Sequence, residues 1–285
     1  MTPQDLVGDV AELLSLPEVY FRTQELLDDP ESTVDQLGKV VEYDVALTTR
    51  LLKLVNSAYF ARPMRIDRVS HAISLIGRTE LQNIILAMSA ADVFRKIPND
   101  LVDMSTFWYH SVYAALLARM LSPKAGILHG ERMFVAGLLH DVGHLVLYSR
   151  MPDHSRQVLE SAPVTDGGIY EMEKEVIGFT HAEVGDALME MWKLPDSLRA
   201  VVHWHHEPAR APADFVREVN VVHIANSLAN SAEAGRYIVE CKSEVEPSAW
   251  EATGLSEQRA RLFLNDVDRE VAGVLQVVAP GAVVI

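Results

Sequence analysis

The chain has 285 residues, 49% of them hydrophobic and 23% charged, which sets disorder aside and provides for a substantial core. A formal net charge of −15 argues against non-specific binding to nucleic acid or to an anionic membrane, since both require positive surface. The single cysteine, Cys241, excludes an internal disulfide and fits a reducing cytoplasm, and the N-terminus MTPQDLVGDVAELL lacks the basic-then-apolar layout of a signal peptide.

Helical periodicity runs along the whole chain, and no alternating stretch predicts a sheet. Pro17 opens a helix through PEVYFRTQELL that ends at Asp29-Pro30. Ser32 or Thr33 is placed to cap STVDQLGKVV, and Asp44 to cap VALTTRLLKLVNSAYF. After the connector ARPMRID, the run RVSHAISLIGRTELQNIILAMSAADVF predicts two helices broken or kinked around Gly77, and KIPND marks a change of segment. Further helices are expected over 103–121, 131–150, 153–162, 180–193, 195–206, 214–232 and 255–278. No apolar run approaches the ~20 residues that span a bilayer. The tail GVLQVVAPGAVVI comes nearest, is broken by Gln276, Pro280 and Gly281, and is expected to pack on the domain or on a partner. There is no internal repeat, so the chain reads as one all-α unit over 1–285: N-terminal helices over 10–100, a central layer over 101–232 and a C-terminal helical extension over 233–285.

The chemistry gathers in FVAGLLHDVGHLVLYS, where His140, Asp141 and His144 interrupt a run that should be core. If one helix spans this stretch, His140 and His144 share a face. The zinc-protease pattern H-E-x-x-H is a poor fit, because aspartate replaces the glutamate and Gly143 lies inside the motif. The adjacent pair His140–Asp141 could instead ligate a metal if other helices bring histidines opposite. Four other segments supply them. Thr180 and Glu183 form a capping box that puts His181 in a first helical turn, on the stripe of Val184, Leu188 and Trp192. His205 and His206 follow Val201 and Val202 by one turn, whereas His203 follows Arg199 and is expected to face solvent. His110 aligns with Phe107, Ala114 and Leu117, and Asn226 follows Val222 with His223 beside it. A lone inward histidine is ordinarily a hydrogen-bonded core residue. Five of them with an aspartate predict a shared partner, because burying many imidazoles separately costs several kcal/mol in desolvation.

In their order, His110, His140–Asp141, His181, His205 and His206 resemble the ligand series of the HD superfamily of metal-dependent phosphohydrolases. Asn226 stands where that series ends in a metal-binding aspartate. His144 stands where the cyclic-dinucleotide diesterase branch has a phosphate-holding lysine, and the Gly-Tyr-Pro signature of that branch is absent after His206. The N-terminal half resembles the HDOD family, the HD-related output domain, over roughly residues 10 to 230. Leu16-Pro17, Asp44 with Ala46-Leu47, Asn56-Ser57-Ala58 and Ala72-Ile73 before Leu75-Ile76-Gly77 carry the likeness, with Val45 departing from a common proline. The resemblance implies a multi-helix HD-like bundle in a bacterial, cytoplasmic signalling module that binds partner proteins. It also implies a site for one or two divalent ions, whether Fe, Mn, Zn or Mg, at His110, His140, Asp141, His181, His205, His206 and Asn226. The alternative is a phosphohydrolase or phosphodiesterase acting on a nucleotide, with Asp141 as its catalytic residue. Asn226 brings a neutral oxygen where a carboxylate is usual, and His144 removes a fixed cation, so metal affinity without robust turnover is expected. The simplest reading of LVNSAYF is a helix end whose Asn56 and Ser57 bond nearby backbone.

Overall fold

Three threonines start helices in the same way. Thr2, Thr33 and Thr180 each accept a bond from the backbone N–H three residues on, while Asp5, Gln36 and Glu183 bond back to the threonine N–H. Asp44 caps the next helix by accepting from the Leu47 N–H at 2.9 Å. In the computed structural model these signals delimit α1 Pro3–Gly8, α2 Glu18–Asp28, α3 Val34–Glu42, α4 Val45–Val55, α5 Val69–Ile76 and α6 Arg78–Arg95. The central helices are α7 Met104–Leu121, α8 Gly130–Leu139, α9 Val142–Arg150, α10 Pro152–Ser161, α11 Gly168–Val176, α12 His181–Met191, α13 Asp196–Trp204 and α14 Val216–Ala234. Then come α15 Pro247–Thr253, α16 Glu257–Arg261 and α17 Leu264–Val278. The structure describes residues 1–57, 60, 65–95, 97, 100–163, 167–234 and 245–282; among them there is no strand, and no helix is long and apolar enough to cross a membrane. Ala58, Tyr59 and Cys241 lie outside the described residues.

The expected break at Gly77 is a positive-φ turn (φ 91°) between α5 and α6, a conformation that suits glycine. Asn56 ends α4, donating to the Leu52 and Ile66 carbonyls and accepting from the Ile66 N–H, all at 2.7 Å. That is the backbone role its helix-end position predicts. Helices α2 to α6 form the N-terminal layer, with α3 against α5 and α2 against both α3 and α6. Arg78 of α6 ties the layer together by donating to the Leu26 and Ser32 carbonyls at 2.7 and 2.8 Å.

At the centre lies α7, packed on α8, α14 and α17. Its residues from Ser111 to Ala118 are all buried, and each fully buried leucine there contributes roughly 1.5–3 kcal/mol. Helix α12 packs between α9 and α13. Both ends of the chain reach this centre. Helix α1 lies on α12 and α9, and the Trp192 indole donates to the Leu14 carbonyl at 2.6 Å. The apolar tail starts within α17, which buries Val267, Val271, Val274 and Leu275 and packs on α7, α4 and α6.

Three features depart from the periodicity. The expected helix 131–150 is two helices, broken at His140–Asp141. The segment expected over 255–278 divides at Leu262–Phe263 into α16 and α17. Helices α1, α11 and α15 were not expected, being short and rich in charge, proline or glycine, with too few turns to show a 3.6-residue pattern.

Candidate metal centre

The break between α8 and α9 builds the site. His140 keeps helical angles at the end of α8, Asp141 moves to φ −104°, ψ 5°, and α9 starts anew at Val142. Consecutive side chains therefore converge on one point, with His140 Nε2 3.1 Å from Asp141 Oδ2. His140 and His144 do not share a face of one helix, which corrects the sequence-based expectation.

Around Asp141 the imidazoles are oriented by a common device. His140 Nδ1 donates to the Gly137 carbonyl at 2.7 Å, and His205 Nδ1 to the Val202 carbonyl at 2.8 Å. His181 Nδ1 pairs with Glu173 Oε2 at 2.7 Å. Each ring is left with Nε2 turned to the carboxylate: His181 and His205 stand 3.4 and 3.3 Å from Oδ1. Fixing Nδ1 by an outer hydrogen bond is how ligand histidines present Nε2 to a metal.

Two groups of donors share Asp141. One comprises His110, His140 and Asp141, the other Asp141, His181, His205 and His206, and within each the candidate ligand atoms lie within 4.8 Å of one another. His110 Nε2 is 3.7 Å from Asp141 Oδ2 and 3.0 Å from Asn226 Oδ1, which brings α7 and α14 into the first group. His206, just past α13, stacks on Tyr170 with ring centres 4.7 Å apart. All seven residues expected from the sequence thus meet in one chamber.

The electrostatics hold the members of the cluster in different charge states. Burial raises Asp141, yet His140, His181 and His205 hold it well below the usual carboxylate range. Burial lowers His181, but Glu173 and Asp141 on its two sides bring it up to about 10. Burial lowers His205 to about 4, and burial beside His205 and His181 takes His206 well down, so both favour the neutral form that can ligate. His140 Nε2 and Asp141 Oδ1 are buried without a hydrogen bond, though each faces the other groups at close range. Nitrogen and carboxylate donors turned inward with such atoms fit a divalent cation.

His144 is elsewhere. It stands behind His181, stacked on it with ring centres 3.7 Å apart and planes at 20°, and its Nδ1 is 3.0 Å from Glu173 Oε1. Glu173, from α11, is 2% exposed and has no signature in the sequence: a glutamate in the charged run YEMEKEV reads as solvent-facing. His203 pairs with Asp186 at 3.1 Å and is half-exposed, away from the cluster. His223 donates from Nδ1 to the His205 carbonyl at 2.8 Å and accepts from the Glu246 N–H at 3.1 Å, so it braces the chamber from outside. Trp192 is a core residue, and Trp204 is half-buried with the Arg210 guanidinium 4.7 Å over its ring.

Known proteins share this arrangement of helices. A protein from Shewanella amazonensis SB2B, named as a candidate phosphohydrolase, superposes with a TM-score of 0.71 at 20% identity, over 96% of this chain and 97% of that one. A candidate signal transduction protein from Marinobacter aquaeolei VT8 gives 0.69 at 23% identity, over 96% of this chain and 61% of that one. An uncharacterized protein of Treponema pallidum (strain Nichols) is 28% identical over 223 residues, which are 78% of this chain and 42% of the relative. The chain thus spans less than half the length of that curated relative. The family model of the HDOD domain matches residues 13–208, from the layer that Asn56 and Arg78 hold together to the end of the histidine series, and the chain belongs to the HDOD family.

Proposed function

We propose that the chain is a signalling output module that works by binding partner proteins in the bacterial cytoplasm, around an HD-type metal centre with little or no hydrolytic turnover. His110, His140, Asp141, His181, His205, His206 and Asn226 are the residues that would hold one or two divalent ions. The observation that carries the reading is what has become of the two positions a phosphohydrolase relies on. Asn226 offers only a neutral oxygen and faces His110 at 3.0 Å. His144, in the place of the diesterases' lysine, faces Glu173 Oε1 across 3.0 Å and stands behind His181. The cluster keeps its donors, while Asn226 brings no carboxylate to a metal and His144 no fixed cation to a substrate phosphate.

The second reading, hydrolysis of a nucleotide ester, draws on the retained cluster at Asp141. A divalent ion held there would polarise a phosphate oxygen and lower the pKa of water. For that chemistry Asp141 would be the shared ligand between the two groups, with His181, His205 and His206 as its companions in one and His110 and His140 in the other.

The test is elemental analysis of protein purified without chelator, with hydrolysis assays on nucleotide mono- and diesters in added manganese or iron. Retained metal that Asp141→Ala releases, with no turnover above the blank, is the expected result. Turnover that Asp141→Ala abolishes would replace the module with the enzyme.

A further inference from the structure

The metal-binding reading assigns no work to Glu173, yet this carboxylate is among the most deeply buried acids in the described residues, at 2% exposure. Both its oxygens are engaged. Oε2 lies 2.8 Å from the backbone N–H of His181 and 2.7 Å from its Nδ1. Oε1 faces His144 Nδ1 at 3.0 Å. We propose that Glu173 is a positioning residue: with His144 it forms the outer shell that fixes His181 Nε2 as a metal ligand, making the Asp141–His181–His205–His206 group the tighter of the two.

Geometry carries the assignment. A ring bonded only through Nδ1 can still rock about its Cβ–Cγ axis. The His181 ring is also held flat by His144 stacked at 3.7 Å, which is itself stacked on Tyr148 at 5.5 Å and 14°. Tyr170 meets its edge at 5.9 Å and 77°. With plane and Nδ1 both fixed, Nε2 has one direction left, toward Asp141 Oδ1 at 3.4 Å. In the other group His140 leans on a neutral carbonyl, that of Gly137, as His205 does on that of Val202 in this one, so that of these three rings His181 is the one with a carboxylate behind it. A carboxylate behind a ligand imidazole raises its basicity more than a carbonyl does, and removing such a partner ordinarily weakens metal affinity about 10–100-fold. His144, in the lysine position of the diesterases, serves the ligand and not the substrate.

The inference rests on the metal-binding reading, and its test separates the two. Cobalt(II) is titrated into wild type, Glu173→Gln, His144→Gln and Asp141→Asn, reading the ligand-field spectrum and the dissociation constant, with circular dichroism to confirm folding. Glu173→Gln keeps an acceptor of the same size without the charge. The expected result is wild-type binding that Asp141→Asn abolishes, a loss of about 10–100-fold in Glu173→Gln with a shifted spectrum, and a smaller loss in His144→Gln. A folded Glu173→Gln that binds cobalt like wild type, even with a lowered melting temperature, leaves Glu173 a purely structural residue and overturns the proposal. If Glu173→Gln does not fold, wild-type affinity in His144→Gln overturns it instead. Wild type that binds no cobalt refutes the metal reading itself, and this inference with it.

Discussion

Gly143 lies so close to His181 that a Cβ on the glycine would stand 1.9 Å from the His181 carbonyl oxygen and 2.7 Å from the Gly185 nitrogen. Helices α9 and α12 touch backbone to backbone at this point, and the contact sets Asp141 and His181 at their working distance. Backbone atoms cannot rotate out of the way, so Gly143→Ala has to part the helices. The expected outcome is destabilisation of about 1–3 kcal/mol or more, with loss of bound metal, measured by urea unfolding and elemental analysis. A variant that keeps both wild-type stability and wild-type metal content would show that the two helices have slack.

Asn226 is 3% exposed and aims its oxygen at His110. Asn226→Asp changes the side chain by one atom and puts a second carboxylate beside His110. A second equivalent of divalent ion should then bind at least tenfold more tightly, about 1.4 kcal/mol, and hydrolysis of nucleotide esters should rise. Unchanged stoichiometry and affinity in isothermal titration would count against the His110 group as a metal site.

Convergence of the seven site residues was legible because helix faces and caps are local. Thr180 and Glu183 fix where α12 starts and so where His181 points, and Asp103 caps α7 ahead of His110. What the sequence hid depends on contacts between segments. Apolar residues flank His140–Asp141 on both sides, at Leu139 and Val142, and the two polar residues between them carry no turn signal of their own. Glu173 is buried only because His144 and His181 come to meet it, and a hydropathy pattern places any glutamate in water. His144, which the resemblance puts at the lysine position, stands stacked on the far side of His181.

Far from the chamber, Glu80 titrates abnormally. Burial and the adjacent Glu131 raise its carboxyl to about 8 from an ordinary 4.5, against the pull of Arg119 and Asn83. The folded state thus holds this proton more tightly than the unfolded chain. The resulting stabilisation is complete below about pH 4.5 and is lost as pH rises through about 8. Glu80→Gln stays neutral throughout. Its melting temperature should match wild type near pH 5 and exceed it by about 3 °C near pH 9, a modest gain because water reaches the site. A pH-independent difference in differential scanning calorimetry would contradict the assignment.

Trp192 fastens the start of the chain to the end of α12 through its bond to the Leu14 carbonyl. Trp192→Phe retains the ring and leaves that buried carbonyl without its donor. A loss of about 1–3 kcal/mol in denaturant unfolding, with faster proteolysis before residue 17, is the expected outcome. Wild-type proteolysis of the N-terminal segment would mean that the bond fastens nothing.

The turn at His140–Asp141 also governs which changes of length this protein tolerates. An α-helix rotates about 100° for every residue added. One residue inserted between Gly137 and Gly143 would swing the imidazole and the carboxylate to different bearings and carry Gly143 out of its notch against α12. The same insertion after Ala211, where the chain crosses from α13 to α14 outside regular helix, would leave both intact. Length polymorphism in this fold should therefore stop short of the dipeptide, even in chains whose individual side chains there have drifted.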